Sequence, residues 1–280
     1  MAYQEHPHCE TPADDAVVWR YTDLLKFIDL LVNKTMWFSR ADLLDDPREG
    51  RLTDLELNQL AERGEIAEGW LRLFETGRKE TYINCWHESN CESMAMWDRY
   101  GSIAIKSKIG LLKQAVANAE RTVYVGRAHY LDWTQDAPWP NNLIGMHFRK
   151  IQSYKHESEV RLVIWDPNLK WQVSSQEEQP EVLNLTDVAN WMADIIKEQN
   201  WVLSGDTKKA CIKAVADSLE RSRLDGMPPG IRLQVDLVTL FDEIVVGPRQ
   251  PDWVAQLLRK LVGRYDIMKP VRPSELVYKS

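Results

Sequence analysis

A chain of 280 residues, 44% of them apolar, can bury one substantial core, while 28% charged residues and the lack of a long apolar run argue against a membrane-spanning helix. The formal net charge of -7 disfavours broad nucleic-acid binding, because neutralising phosphate takes a concentrated basic surface. Cys9, Cys85, Cys91 and Cys211 are spaced like neither a disulfide framework nor a metal knuckle, and MAYQEHPHCETPADD has no signal-peptide core, so a cytoplasmic protein with reduced thiols is expected.

Residues 1–15 read as a flexible segment. The run 16–21 (AVVWRY) predicts a strand, and Leu24 to Val32 a helix with Leu24, Ile28 and Leu31 on one face and Thr22 as its N-cap. TMWFS (35–39) predicts a second strand, leading into the turn DDPREG (45–50). Thr53 and Glu56 have the spacing of a capping box for a helix running toward Gly64, and a further helical stretch passes through Trp70 to Phe74. TYINCW (81–86) returns to strand, Met94, Trp97 and Tyr100 mark a short helix, and SIAIKS (102–107) is the next strand. RTVYVGRAHYLDW (121–133) reads as one longer strand and SEVRLVIW (158–165) as the clearest of all.

Beyond these come a loop at Ser174–Glu181, helices over 187–197 and 207–221, strands at 232–237 and 243–247, and a last helix beginning at Pro251 and Asp252. Strands and helices mix without strict alternation. The expected fold is therefore α+β, a mixed or mainly antiparallel central sheet flanked by helices, in one domain over 1–280.

A period of two puts Glu157, Glu159, Arg161, Val163 and Trp165 on one side of the central strand, and Ser158, Val160, Leu162 and Ile164 on the other. Charged groups on the first side then face either a solvent-filled cleft or an ion-pair network. Two carboxylates in different environments can divide acid, base and charge-stabilising work. Arg20 on the first strand can grip an anion bidentately, as can Arg40 after the second, although a plain edge-strand charge is the commoner role for such an arginine. The acidic turn Asp45, Asp46, Glu49 offers oxygen ligands to a hard cation, but its spacing fits a solvated turn better, and no metal is expected. Cys85 and His87 share a face without an orienting third group.

Through WRY (19–21), FSRADLLDDPREG (38–50), the CWHES to MAMWDRYG block (85–101), YKHESEVRL (154–162) and EIVVGPR (243–249), the chain resembles bacterial domain-of-unknown-function family 2971, a label that carries no activity. Arg20, Ser39 and Glu157-Ser158-Glu159 also resemble, in order, the Arg, Ser and Glu-x-Glu elements of arginine-dependent ADP-ribosyltransferases, without the Ser-Thr-Ser element. That resemblance implies NAD as substrate and an unknown macromolecular or small-molecule acceptor. It further implies that Glu159 holds the nicotinamide ribose and stabilises positive charge, that Arg20 binds the diphosphate, and that Glu157 orients or deprotonates the acceptor. Trp19, Tyr21 or Trp97 would stack on nicotinamide, with Ser39, Arg40 and Arg161 completing the cofactor-binding set.

Two alternatives stand beside it. An acidic loop followed by Glu159-Val160-Arg161 is similar to a metal-dependent nuclease motif in which arginine replaces lysine. The aromatic-rich cleft could also be a non-catalytic binding module for a nucleotide or a protein.

Overall fold

Alternating side chains of β-forming residues produce a ten-stranded, mostly antiparallel sheet in the computed structural model, which describes residues 2–7, 9–62, 66–138, 143–167, 169 and 227–276. The α+β class is as expected. The chain divides into two compact units, residues 1–168 with 230–280, and residues 169–229. The second lies almost wholly outside the described residues, as do the expected loop at 174–181 and helices at 187–197 and 207–221. The first unit is described below.

In chain order its elements are β1 (Tyr3–Gln4), β2 (Val17–Thr22), α1 (Leu24–Asn33), β3 (Thr35–Arg40), α2 (Asp54–Ala61), α3 (Ile66–Lys79), β4 (Thr81–Glu88), α4 (Met94–Tyr100), β5 (Ile103–Lys108) and α5 (Ile109–Ala115). There follow β6 (Val123–Arg127), β7 (His129–Leu131), β8 (Arg149–Ile151), β9 (Glu159–Trp165), β10 (Gly230–Gln234), α6 (Leu237–Leu240), β11 (Glu243–Val246), α7 (Asp252–Gly263) and β12 (Val271–Pro273). The sheet runs β1-β6-β9-β4-β2-β5-β11-β12, with β10 joined through β3 to β4. β1 with β6 and β11 with β12 are its parallel pairs, and β7 with β8 forms a separate two-stranded sheet.

Several boundaries differ from expectation for local reasons. Asp23, not Thr22, caps α1, its side chain accepting from Lys26 N, because Thr22 is still held in the ladder opposite Ile103. The expected strand over 121–133 breaks at Ala128, whose N–H is taken by the Glu159 carbonyl, so β7 leaves the main sheet. Several described residues ahead of β2 contact the sheet and its core. β1 pairs with β6, Thr11 Oγ1 donates to Val125 O, and Cys9 packs against the core cluster of Ala41, Ile83, Ile144, Phe148 and Val163. The Thr53–Glu56 capping box is present in full.

One edge of β4 serves two partners. β3 pairs with it at Ile83 and Tyr82, β2 at His87 and Glu88, so the sheet forks around Asn84 to Trp86. The fork is closed by side chains: Asn84 Oδ1 accepts from Arg20 Nη1 at 3.1 Å and Trp86 Nε1 at 2.8 Å, while Asn84 Nδ2 donates to Trp37 O at 2.7 Å. Arg20 Nη1 also donates to Cys85 O at 2.6 Å, capping a carbonyl near the divergence. Among the described residues no helix is long and apolar enough to cross a membrane.

Candidate functional site

The pairings Cys85 with Arg161 and His87 with Glu159 set these four side chains on one face of the sheet. Trp19 and Tyr21 share it, since Trp19 pairs with His87, and α4 packs there through Met96 and Trp97. Tyr21 meets the Trp97 ring edge-on at 4.8 Å and the His87 ring at 6.1 Å. Arg20 and Arg40 fall on the opposite face. Arg20 closes the fork, and Arg40, 1% exposed, binds Asp42 at 2.6 Å. Arg20 and Glu159 therefore do not flank one cleft.

Ser39 lies on the Glu159 face beside Ile83, about 13 Å along β4 from His87 at the strand rise. Its Oγ accepts from Trp37 Nε1 at 3.1 Å.

The expected row of carboxylates is present but buried, because the charges neutralise one another. Glu157, Glu159 and Arg161 are 3%, 4% and 0% exposed. β9 starts at Glu159. Glu157 ends the 3-10 turn Gln152–Glu157, and Ser158, at φ 40, redirects the chain so that both carboxylates still converge. Their meeting point is Lys150 on β8, whose Nζ lies 2.5 Å from Glu157 Oε2 and 2.8 Å from Glu159 Oε2. Arg161 Nη2 reaches Glu159 Oε2 at 3.1 Å and Glu49 Oε2 at 2.9 Å, and its Nη1 reaches Glu49 Oε1 at 2.5 Å. Tyr100 OH donates to Glu157 Oε1 at 2.6 Å, His87 Nδ1 approaches the Glu157 carbonyl at 2.5 Å, and Tyr130 OH accepts from Glu159 N at 2.7 Å.

Burial alone would raise the Glu159 carboxyl, but Arg161 and Lys150 overcome it and hold it ionised, down to about 2. Burial lowers Lys150, and Glu159 reverses this to raise it above an ordinary lysine. Burial first, then the Glu159 charge, pushes the Cys85 thiol well up, leaving it a protonated neighbour rather than a nucleophile. His147 is kept neutral, down to about 3, by burial and then by the Arg161 and Arg78 charges.

The turn at 45–50 is not a solvated acidic loop. Asp46 and Glu49 are buried, and Glu49 is spent on Arg161. Gly50, at φ 64, lets the chain turn where a Cβ would come within 2.7 Å of the His147 ring. Among the described residues no group of three or more His, Cys, Asp or Glu is arranged to hold a metal ion.

Sequence reasoning missed Lys150, Arg99 and the part played by Tyr100. Lys150 is one of three cationic residues in RKIQSYKHE, of which Arg149 is buried against Glu56 and Lys155 is exposed, and nothing in its spacing marks it as the one that meets Glu157 and Glu159. Comparison with family models, curated proteins and solved structures returns no match.

Proposed function

We propose that the chain is an ADP-ribosyltransferase-like enzyme that cleaves NAD and transfers ADP-ribose to an acceptor at the Glu157–Glu159 face. The observation that carries this reading is the convergence of both carboxylates of the Glu-x-Glu element on Lys150, with Glu159 held ionised. The cluster sets three carboxylates, Glu49, Glu157 and Glu159, against Lys150, Arg161 and, at its margin, Arg99, so its formal charges balance. Glu159, held ionised within it, is the group that would stabilise the oxocarbenium character that develops as the glycosidic bond breaks.

In this reading nicotinamide departs with the bonding electron pair while Glu159 faces the ribose. Glu157, hydrogen-bonded to Tyr100, then accepts the proton of the attacking acceptor. Tyr21 and Trp97 supply the aromatic wall beside His87. Arg20, committed to the fork on the other face, is left out of the diphosphate role that the family resemblance implies for it. Kinship with domain-of-unknown-function family 2971 and residence in the cytoplasm belong to the same proposal.

A non-catalytic nucleotide-binding site is the second reading, favoured by the complete ion pairing of Glu159. The nuclease alternative has less support, since Glu49 and Glu159 would have to leave Arg161 to ligate a metal.

The test is nicotinamide release from NAD, with and without cell extract or nucleic acid as acceptor, followed by chromatography. Release by the native chain should fall at least about 100-fold in Glu159→Gln, with circular dichroism showing the variant folded. Equal release by the folded variant, or none by the native chain with any acceptor, would overturn the proposal, and NAD binding without release would favour the second reading.

A further inference from the structure

At the margin of the carboxylate cluster, Arg99 near the end of α4 is 42% exposed, while Glu157 beneath it is 4% exposed. Its guanidinium carbon lies 5.2 Å from the Tyr100 ring centroid and 5.7 Å from that of Tyr154. Nε donates to Tyr100 OH at 2.8 Å and stands 3.5 Å from Glu157 Oε1. Nη1 and Nη2 make no hydrogen bond among the described residues, so the two-pronged edge of the guanidinium is fixed in direction and unfilled. Asp98 next door does not compete for it, being engaged with Arg249 at 2.8 Å.

Two ring contacts and a bond at Nε restrict an otherwise flexible side chain, which lowers the entropy lost when the Nη edge takes an oxyanion. A planar fork of this kind matches two oxygens of a phosphate better than a point charge does. Tyr154 adds a second feature. Lys150 Nζ approaches its ring at 4.8 Å, and the His156 ring lies 6.5 Å away at an interplanar angle of 24°, forming an aromatic step beside the free guanidinium edge. Lys155 and His156 are both exposed on that step. Phosphate-binding edge and aromatic step together fit a phosphorylated aromatic ligand.

We propose that Arg99, with Tyr100 and Tyr154, forms a binding subsite for the diphosphate of a nucleotide at the mouth of the Glu157–Glu159 cluster. The subsite deepens the NAD-cleaving reading and rests on it for the identity of the substrate.

Titration calorimetry of the full chain with ADP and with inorganic pyrophosphate tests this directly, because Arg99 is exposed enough for its variants to fold. ADP should bind the native chain, and at least about tenfold more weakly to both Arg99→Ala and Arg99→Lys, since lysine keeps the charge but loses the fork. Tyr154→Leu should weaken ADP more than pyrophosphate. No binding of ADP, or equal affinity in Arg99→Ala, would overturn the subsite. The two readings also fail separately: NAD cleavage with an unchanged KM in Arg99→Ala removes the subsite and keeps the enzyme, whereas Arg99-dependent ADP binding without any NAD cleavage does the reverse.

Discussion

Arg161 and Glu49, 112 residues apart in sequence, meet through hydrogen bonds of 2.5 and 2.9 Å with the arginine fully buried. Burying such a pair is itself expensive, yet removing one partner is worse, because the charge left behind has no solvent. Arg161→Met or Glu49→Gln alone should cost about 3–5 kcal/mol in urea unfolding. The double variant Arg161→Met with Glu49→Gln should cost less than the two single losses added together. Strict additivity would mean that the contact has no energetic coupling and would sink this account.

Lys150 gives the second prediction, because Glu157 and Glu159 both converge on its ammonium. In Lys150→Met, Glu157 and Glu159 are left facing each other with only Arg161 and Arg99 to separate them. The Glu159 carboxyl should then titrate well above its native value of about 2, readable in side-chain carbon NMR. If NAD is cleaved, the acid limb of its pH profile should move upward in step. A carboxyl titration identical to the native one would show that Lys150 does not hold Glu159 ionised.

Acid stability has two expected stages. His147 has its folded pKa lowered from 6.5 to about 3, so the unfolded chain binds the proton more readily. Its contribution is complete above pH 6.5 and lost as pH falls from there toward 3. Glu159 is lowered from 4.5 to about 2, so its contribution of about 3 kcal/mol is complete above 4.5 and lost on the way down to 2. Urea midpoints measured against pH should therefore begin to fall near pH 6.5, before the carboxylate range. His147→Gln should flatten the upper stage and leave the lower one, and an unchanged slope between pH 6.5 and 4.5 would show that His147 is not held neutral.

Most of the fold was readable because its signals are local. Alternation marked β4 and β9, and the Thr53–Glu56 spacing marked a helix start that forms as expected. The exit of β7 from the main sheet was not readable, since it depends on the Glu159 carbonyl capturing Ala128 N from another strand. The alternation that set Glu159 and Arg161 on one side of β9 holds in the structure, and the pairing of β2, β4 and β9 brings Tyr21 to the same face, while Trp97 arrives there only through the packing of α4. Arg20 could not be assigned to a face relative to Glu159 from sequence, because that depends on which residue of β2 stands opposite His87. Lys150 was hidden for a similar reason: only tertiary packing decides which of several cations in a polar stretch meets Glu157 and Glu159.

The fork itself yields the last prediction, and it bears on the role that family resemblance assigns to Arg20. Arg20 Nη1 serves both Asn84 Oδ1 and Cys85 O, and Asn84 in turn holds Trp86 and Trp37. Losing either centre leaves buried polar atoms without partners, at about 1–3 kcal/mol each. Arg20→Ala and Asn84→Leu should both lower stability by that order, and the double variant should show strong coupling because the two residues share one bond. A purely structural Arg20 predicts an unchanged KM for NAD in whatever fraction of Arg20→Ala remains folded. A KM raised tenfold with stability intact would instead return Arg20 to the substrate, and require the ligand to reach through the fork to the face opposite Glu159.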